Sequence, residues 1–286
     1  MQQPPVWYLS DLDGTLLNDK AEIPGWSRAT LVRLLNQGVP FSVATARGIQ
    51  GMQLMLGELP FFLPVIGGNG AFISDYQTGQ HLKLCTMPWE LCEELLEVFR
   101  YHNLQPVVSL LENGEDRLLY PDRQNEVLAR LVHEKLIQKD RRLRPMGEWK
   151  SWKSCPITSF SLIEKEAVVL DLKVELEEKF GEYLQIHLYE DTYYPGWFMF
   201  SAIDRAATKG NAARWLAEYL GWESSELIVF GDNLNDISLF EAASESVAVA
   251  NAKEPLKAIA NHIIGTNESE AVISFVEDHV KSRYGI

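Results

Sequence analysis

The sequence predicts an α/β fold, a doubly wound and mostly parallel sheet interrupted by an inserted α+β domain, and three observations predict it. Apolar strand-like runs alternate with helix-length amphipathic segments over roughly the first 75 residues, and the rhythm returns over roughly the last 80. The stretch between has longer strand-like runs that are polar at alternate positions. Acidic, hydroxyl and lysine side chains gather where apolar runs stop, and ligands of open α/β sheets bind at the carboxyl ends of strands.

Taken in order, Val6-Trp7-Tyr8-Leu9 has the β-branched and aromatic content of a buried strand and runs directly into Asp11-Leu12-Asp13-Gly14-Thr15. GWSRATLVRLLNQG carries apolar residues at helical spacing and stops on Gly38. VPFSVAT is a second buried strand, IQGMQLMLGEL a short helix and LPVIGG a third strand. From about His81 to Met199 the pattern changes. PVVSLLE, DRLLYP, ITSFSLIE, YLQIHLYED and GWFMFSAI read as one-sided strands, with amphipathic helices over PWELCEELLEVFRYHNL and AVVLDLKVELEEKFG. The last part returns to a helix at KGNAARWLAEYLG, a strand at LIVFG, a helix at ISLFEAA, a strand at SVAVA and a closing helix near EAVISFVEDHV. The expected organisation is a discontinuous core, residues 1–79 and 201–286, around an inserted domain over 80–200.

Composition narrows the function classes. A hydrophobic fraction of 46% and a charged fraction of 23% suit a globular protein, and no apolar run has the length of a membrane span. The net charge of −14 argues against nucleic acid and anionic membranes as partners. Met-Gln-Gln-Pro-Pro lacks the basic and apolar regions of a signal peptide, and Cys85, Cys92 and Cys155 form neither a disulfide framework nor a metal-ligand spacing. Together these point to the cytoplasm. Asn267-Glu268-Ser269 fits a glycosylation acceptor by pattern only. Nothing in the sequence sets an oligomeric state.

Four clusters end apolar strands or open helices: Asp11 with Asp13, Thr45-Ala46-Arg47, Lys209, and the group Asp232, Asn233, Asn235 and Asp236. Each has an ordinary reading: a helix cap and a solvated charge for Thr45 and Arg47, a surface lysine, a polar turn capped by aspartate in GDNLND. A calcium loop starting at Asp11 fails because its sixth position is Leu16, not glycine, and a strand precedes it. GGNGAF (67–72) lacks the third glycine of a dinucleotide fingerprint and reads as a tight strand turn. Jointly the clusters form one inventory. Carboxylates at a strand end suit a hard cation such as Mg²⁺, while Thr45, Lys209 and helix-start amides suit phosphate oxygens.

DxDGT, a strand ending in Thr, a Lys opening a helix and then GDxxND resembles, in that order, the haloacid dehalogenase superfamily of phosphohydrolases. The insert between the second and third motifs is similar to that of its Cof-like, type IIB branch, and GGNGAFI and VAVANA (247–252) extend the likeness along the chain. The resemblance implies a Rossmann-like core with a cap domain that selects the leaving group. It implies Asp11 as the nucleophile, Asp13 as acid and then base, and Mg²⁺ held by the Asp11 and Asp232 carboxylates and the Asp13 backbone carbonyl. Thr45, Lys209 and Asn235 would hold the phosphoryl group, with Arg47 beside them, and Asp236 and Asn69 would support these residues. Two positions depart from the pattern: Ser10 stands where an apolar or aromatic residue is usual, and Ala46 where the branch commonly has glycine.

The expected activity is Mg²⁺-dependent hydrolysis of a small phosphorylated metabolite, a sugar phosphate or a phosphorylated cofactor, through an aspartyl phosphate. A phosphotransferase or mutase would share that chemistry, leaving it open as an alternative. A phospho-acceptor receiver module lacks DxDGT on its first strand and has no such insert, and a non-catalytic binding protein would have no need of the retained acids and lysine. In the insert, KDRRLRPMGEWKSWK (139–153) has six basic and two acidic residues and could face an anion or simply water. The aromatic YEDTYYPGWFMF (189–200) could stack on a ring or pack the insert.

Overall fold

A computed structural model describes residues 6–191 and 194–285. The chain divides into two compact units, one built from its two ends, up to Leu84 and from Ala207, the other from Cys85–Ala206. The N-terminal pentapeptide and Thr192-Tyr193, within the aromatic stretch, lie outside the described residues.

The first unit begins with β1 (Val6–Ser10), α1 (Gly25–Asn36), β2 (Phe41–Val43), α2 (Ile49–Leu56), β3 (Val65–Gly67), β4 (Phe72–Ser74) and β5 (His81–Leu84). Every residue of β1 is buried, as expected of a strand flanked and covered on both faces. Tyr8 and Trp7 point to opposite faces, as the period of two requires. The β3–β5 strands form a small antiparallel sheet, so residues 81–84 hydrogen-bond within this unit.

The second unit contains α3 (Trp89–Tyr101), β6 (Val107–Glu112), β7 (Glu115–Tyr120), α4 (Glu126–Ile137), β8 (Leu143–Pro145), β9 (Ile157–Lys165), α5 (Glu166–Phe180), β10 (Leu184–Glu190) and β11 (Trp197–Asp204). Its six strands run in the order β10-β11-β9-β6-β7-β8, antiparallel except for β7 with β8. Alternate residues Phe160, Leu162, Phe200 and Ala202 turn one sheet face toward Val169, Leu172 and Leu176 of α5 and toward Leu95 and Phe99 of α3. Each such large apolar side chain, fully buried, stabilises by about 1.5–3 kcal/mol. The basic stretch spends much of its charge locally: Arg142 pairs with Asp140 at 2.7 Å, and Lys150 and Lys153 lie over the rings of Trp149 and Trp89. In the aromatic stretch Phe200 is buried in this core and Trp197 receives Lys165 at 3.9 Å from its ring centre.

The chain then returns to the first unit with α6 (Lys209–Leu220), β12 (Glu226–Gly231), α7 (Ile237–Ala242), β13 (Glu245–Val249), α8 (Glu254–Lys257), β14 (His262–Ile264) and α9 (Ala271–Tyr284). The five-stranded sheet has the order β14-β13-β12-β1-β2 and is parallel throughout. On one face Tyr8 bonds through its hydroxyl to His279 of α9 at 2.7 Å; on the other Trp7 meets Trp222, just beyond α6, edge to face. From β1 the chain winds outward to β2 and, after the second unit, from β12 outward to β14. That reversal makes the carboxyl ends of β1 and β12 the switch point where ligands of such sheets bind. Strands β4, β5, β8 and β14 span only three or four residues, too few for period two to register in the sequence, and α4 buries only Val127 and Val132.

Candidate active site

β1 and β12 pair in register from Val6 with Glu226 to Ser10 with Phe230, so Asp11 and Asp232 leave the sheet from neighbouring strands. The Asp11 amide donates to the Phe230 carbonyl at 3.0 Å, extending the ladder one residue beyond the strand. Buried Ser10 donates its hydroxyl to the Asp11 carbonyl at 2.7 Å, which gives the unexpected serine a partner in the core. Residues 12–16 then make a tight turn in which Gly14 has φ +74°. A β-carbon there would lie 2.6 Å from Oδ2 of Asp232. Gly14 thus serves the turn twice, by adopting the left-handed backbone and by admitting the second carboxylate.

Lys209 is the first residue of α6, whose start is capped by Thr208 accepting from the Asn211 amide at 3.0 Å. The lysine is 1% exposed, and Nζ donates to Asp11 at 2.7 Å and to Asp236 at 2.6 Å. Gly210 makes this position reachable: a β-carbon on it would fall 2.0 Å from the Ser238 carbonyl, so only glycine lets α6 seat against α7. Asp236 accepts from the amides of Asp232 and Asn233 through its other oxygen, at 3.0 and 3.1 Å. The cap of this turn is Asn233 rather than an aspartate, with Asp236 closing the reciprocal half of the capping box.

Asp11, Asp232 and Asp236 can each bring one carboxylate oxygen within 4.8 Å of the others. Burial would strip the proton from Lys209, but the Asp11 and Asp236 carboxylates outweigh it and hold the ammonium charged, above the usual lysine range. Burial pushes Asp11 well above the usual carboxylate range against the pull of Lys209, with Asp236 and Asp232 adding to the rise. Asp232 is pushed up to about 6, first by burial and then by the charge of Asp236. Three carboxylates around one ammonium leave a negative excess, and the donors are all oxygen; both properties fit a hard divalent cation such as Mg²⁺. With both Asp236 oxygens engaged, Asp11 and Asp232 are the carboxylates able to hold it.

The other expected residues fall into two further groups. Thr45, 1% exposed, ends the run that begins with β2; its amide donates to Ile66 and its carbonyl accepts from the Asn69 amide at 2.9 Å. Ala46 is exposed and has no left-handed backbone, so its methyl is accommodated. Arg47 engages both carboxylate oxygens of Asp13, at 2.7 and 2.5 Å, keeping that carboxylate out of the acidic cluster. Asn235 donates to the Asn69 side chain at 3.0 Å, and Asn69 sits in the left-handed region at φ +56°. Thr15, the last residue of DxDGT, donates to Asp232 at 3.3 Å. Only a contact 217 residues distant reveals that role.

Comparisons with known proteins agree with one another. The sequence profile of haloacid dehalogenase-like hydrolases matches residues 8–276. A pyridoxal phosphate phosphatase, YbhA, of Escherichia coli is 26% identical over 273 residues, covering 94% of this chain and 97% of that protein. The 5-amino-6-(5-phospho-D-ribitylamino)uracil phosphatase YitU of Bacillus subtilis is 24% identical, covering 98% and 99%. The crystal structure of a haloacid dehalogenase-like hydrolase from Bacteroides thetaiotaomicron superposes with a TM-score of 0.74 at 23% identity, covering 97% of this chain and all of that one, which speaks to the fold.

Proposed function

The chain belongs to the haloacid dehalogenase-like hydrolases, and from that premise we propose that it is a phosphoric monoester hydrolase, a Mg²⁺-dependent phosphatase acting on a small phosphorylated metabolite through an aspartyl phosphate on Asp11. The observation that carries this reading is the buried Lys209 ammonium, shared at 2.7 and 2.6 Å between Asp11 and Asp236 at the switch point of the sheet. The ammonium fixes one oxygen of Asp11 and leaves the other to attack.

In the first step the Asp11 carboxylate forms a bond to phosphorus while the ester P–O bond breaks, and Asp13 gives its proton to the departing alkoxide oxygen. In the second, Asp13 takes a proton from water as that water attacks phosphorus, the Asp11–phosphorus bond breaks and inorganic phosphate leaves. Lys209, Thr45 and Asn235 hold the non-bridging oxygens, and Asp236 keeps Lys209 oriented. Asp13 trades its contact with Arg47 for the leaving group, placing the guanidinium beside the anionic substrate. The Asp11 and Asp232 carboxylates and the Asp13 carbonyl would hold Mg²⁺, which would supply the positive charge that offsets the repulsion of carboxylate and phosphate.

Relatives named for pyridoxal phosphate and a phosphoribitylaminouracil support a sugar phosphate or phosphorylated cofactor as substrate. Cytoplasmic placement is part of the reading, since no disulfide is found among the described residues. A phosphate-release screen over phosphorylated sugars and cofactors with Mg²⁺, and with no acceptor alcohol, is expected to give turnover that excess chelator stops. Turnover indifferent to chelator would remove the metal from the reading, and turnover only with an added acceptor would make the protein a phosphotransferase.

Gly14→Ala tests the close approach at the turn. The new methyl clashes with Asp232 and forces a side chain into the left-handed region, at a cost of about 1–2 kcal/mol. The expected result is a modestly lower unfolding midpoint with kcat down at least about tenfold, since small misplacements of reacting groups are costly. Steady-state kinetics beside thermal unfolding checks both.

A further inference from the structure

The turn that carries Asp13 is gripped from outside by two asparagines that neither the motifs nor the comparisons assign. Asn251, in the loop after β13, donates its side-chain amide to the Gly14 carbonyl at 2.8 Å. Asn267, after β14 and only 6% exposed, donates to the Leu17 carbonyl and to Asp19, both at 3.1 Å. The two are joined, because the backbone N–H of Asn267 donates to the side-chain oxygen of Asn251 at 3.0 Å. Neighbours in the second loop reinforce the grip: Glu268 accepts from the Asp19 amide and Glu270 from the Ser27 amide at 2.7 Å.

We propose that Asn251 and Asn267 form a clamp of linked amides that positions the turn at residues 12–17, and through it Asp13, for proton transfer. They are positioning residues, acting on the turn and not on substrate. The physical basis is that, while the Leu17 amide closes the turn onto the Leu12 carbonyl at 2.9 Å, the Gly14 and Leu17 carbonyls are taken by donors from outside it. A side chain carrying both donor and acceptor is needed to take a carbonyl and still link to the other loop, and a primary amide supplies both. Gly14 has no side chain to fix its own peptide plane, so rotation there would swing Asp13 on one side and Thr15, with its bond to Asp232, on the other. The clamp also accounts for two features read in the sequence: the asparagine in VAVANA, and the Asn-Glu-Ser triplet whose asparagine is buried and engaged.

The inference rests on the phosphatase reading, and the test separates the two. Asn251 is exposed, so its variants should fold. Asn251→Asp keeps the acceptor for Asn267 but sets an oxygen against the Gly14 carbonyl, and Asn251→Ala removes both links. In both, kcat on an aryl phosphate is expected to fall about ten- to a hundredfold with KM within about twofold, as misplacement by an ångström does. The melting temperature should hold while amide hydrogen exchange over residues 12–17 quickens. Ser269→Ala, which loses only a bond to the Thr266 carbonyl, should match wild type. Wild-type kcat in both Asn251 variants overturns the clamp, as does a fall in kcat that only follows loss of folded protein. If the wild-type protein releases no phosphate from any ester, the phosphatase reading fails; unchanged exchange over 12–17 would then separately overturn the clamp.

Discussion

Asp11→Asn is expected to abolish phosphate release, by about 10⁴-fold or more, while leaving the unfolding midpoint close to that of the wild type. The loss follows from chemistry: an amide of nearly the same volume has no nucleophilic oxygen anion and cannot form the acyl phosphate. The preserved stability follows from the electrostatics of the cluster. Burial and the Asp232 and Asp236 charges work against a charged carboxylate at Asp11, opposed by Lys209, so a neutral group there relieves repulsion. Lys209 keeps its 2.6 Å bond to Asp236 and is not stranded. Single-turnover assays beside urea unfolding decide the point. Substantial residual turnover would remove Asp11 as the nucleophile, and collapse of the fold would show that the carboxylate is needed as a structural ion.

Lys209→Met is expected to lose both activity and stability. Methionine approximates the length of the stem but supplies no charge, so Asp11 and Asp236 face each other in a buried site. Removing one partner of a buried ion pair costs about 3–5 kcal/mol, well beyond the effect of an exposed pair such as Arg33 with Glu277. The double variant Lys209→Met with Asp11→Asn should recover part of that loss, because one stranded carboxylate is gone, although it stays inactive. A double-mutant cycle measured by urea unfolding reads this coupling. Strict additivity would mean that the lysine contributes by packing alone.

Much of this site was legible because its residues occupy short contiguous motifs at strand ends. Asp11, Asp13, Thr45, Lys209 and the Asp232–Asp236 group all announce themselves by an acid, a hydroxyl or a lysine placed where an apolar run stops. What the motifs conceal is pairing at long range. Nothing near Arg47 says that it meets Asp13, and nothing near Asn235 says that it faces Asn69. Those contacts come from the sheet register and the seating of α6, which arise only in the folded chain. Gly210 illustrates the limit: in sequence it is a poor helix residue, and only the carbonyl of Ser238 explains it. The fold was legible where segments are long and strongly periodic, and not at β14 or β8, where three residues carry no period.

The pairing of β1 with β12 has a further consequence during synthesis. Residues 6–10 leave the ribosome well before residues 226–230, the strand that covers one of their edges. At about 5–20 residues per second the wait is roughly 10–40 s. In that interval a strand apolar but for Ser10 has β2 to pair with and its other edge open, the kind of exposed template that invites pairing with other chains. The second unit is contiguous in sequence, Cys85–Ala206, so all of it is made within that interval. The arrangement that gathers acids from distant parts of the chain around one lysine therefore leaves β1 with an open edge until β12 has been made.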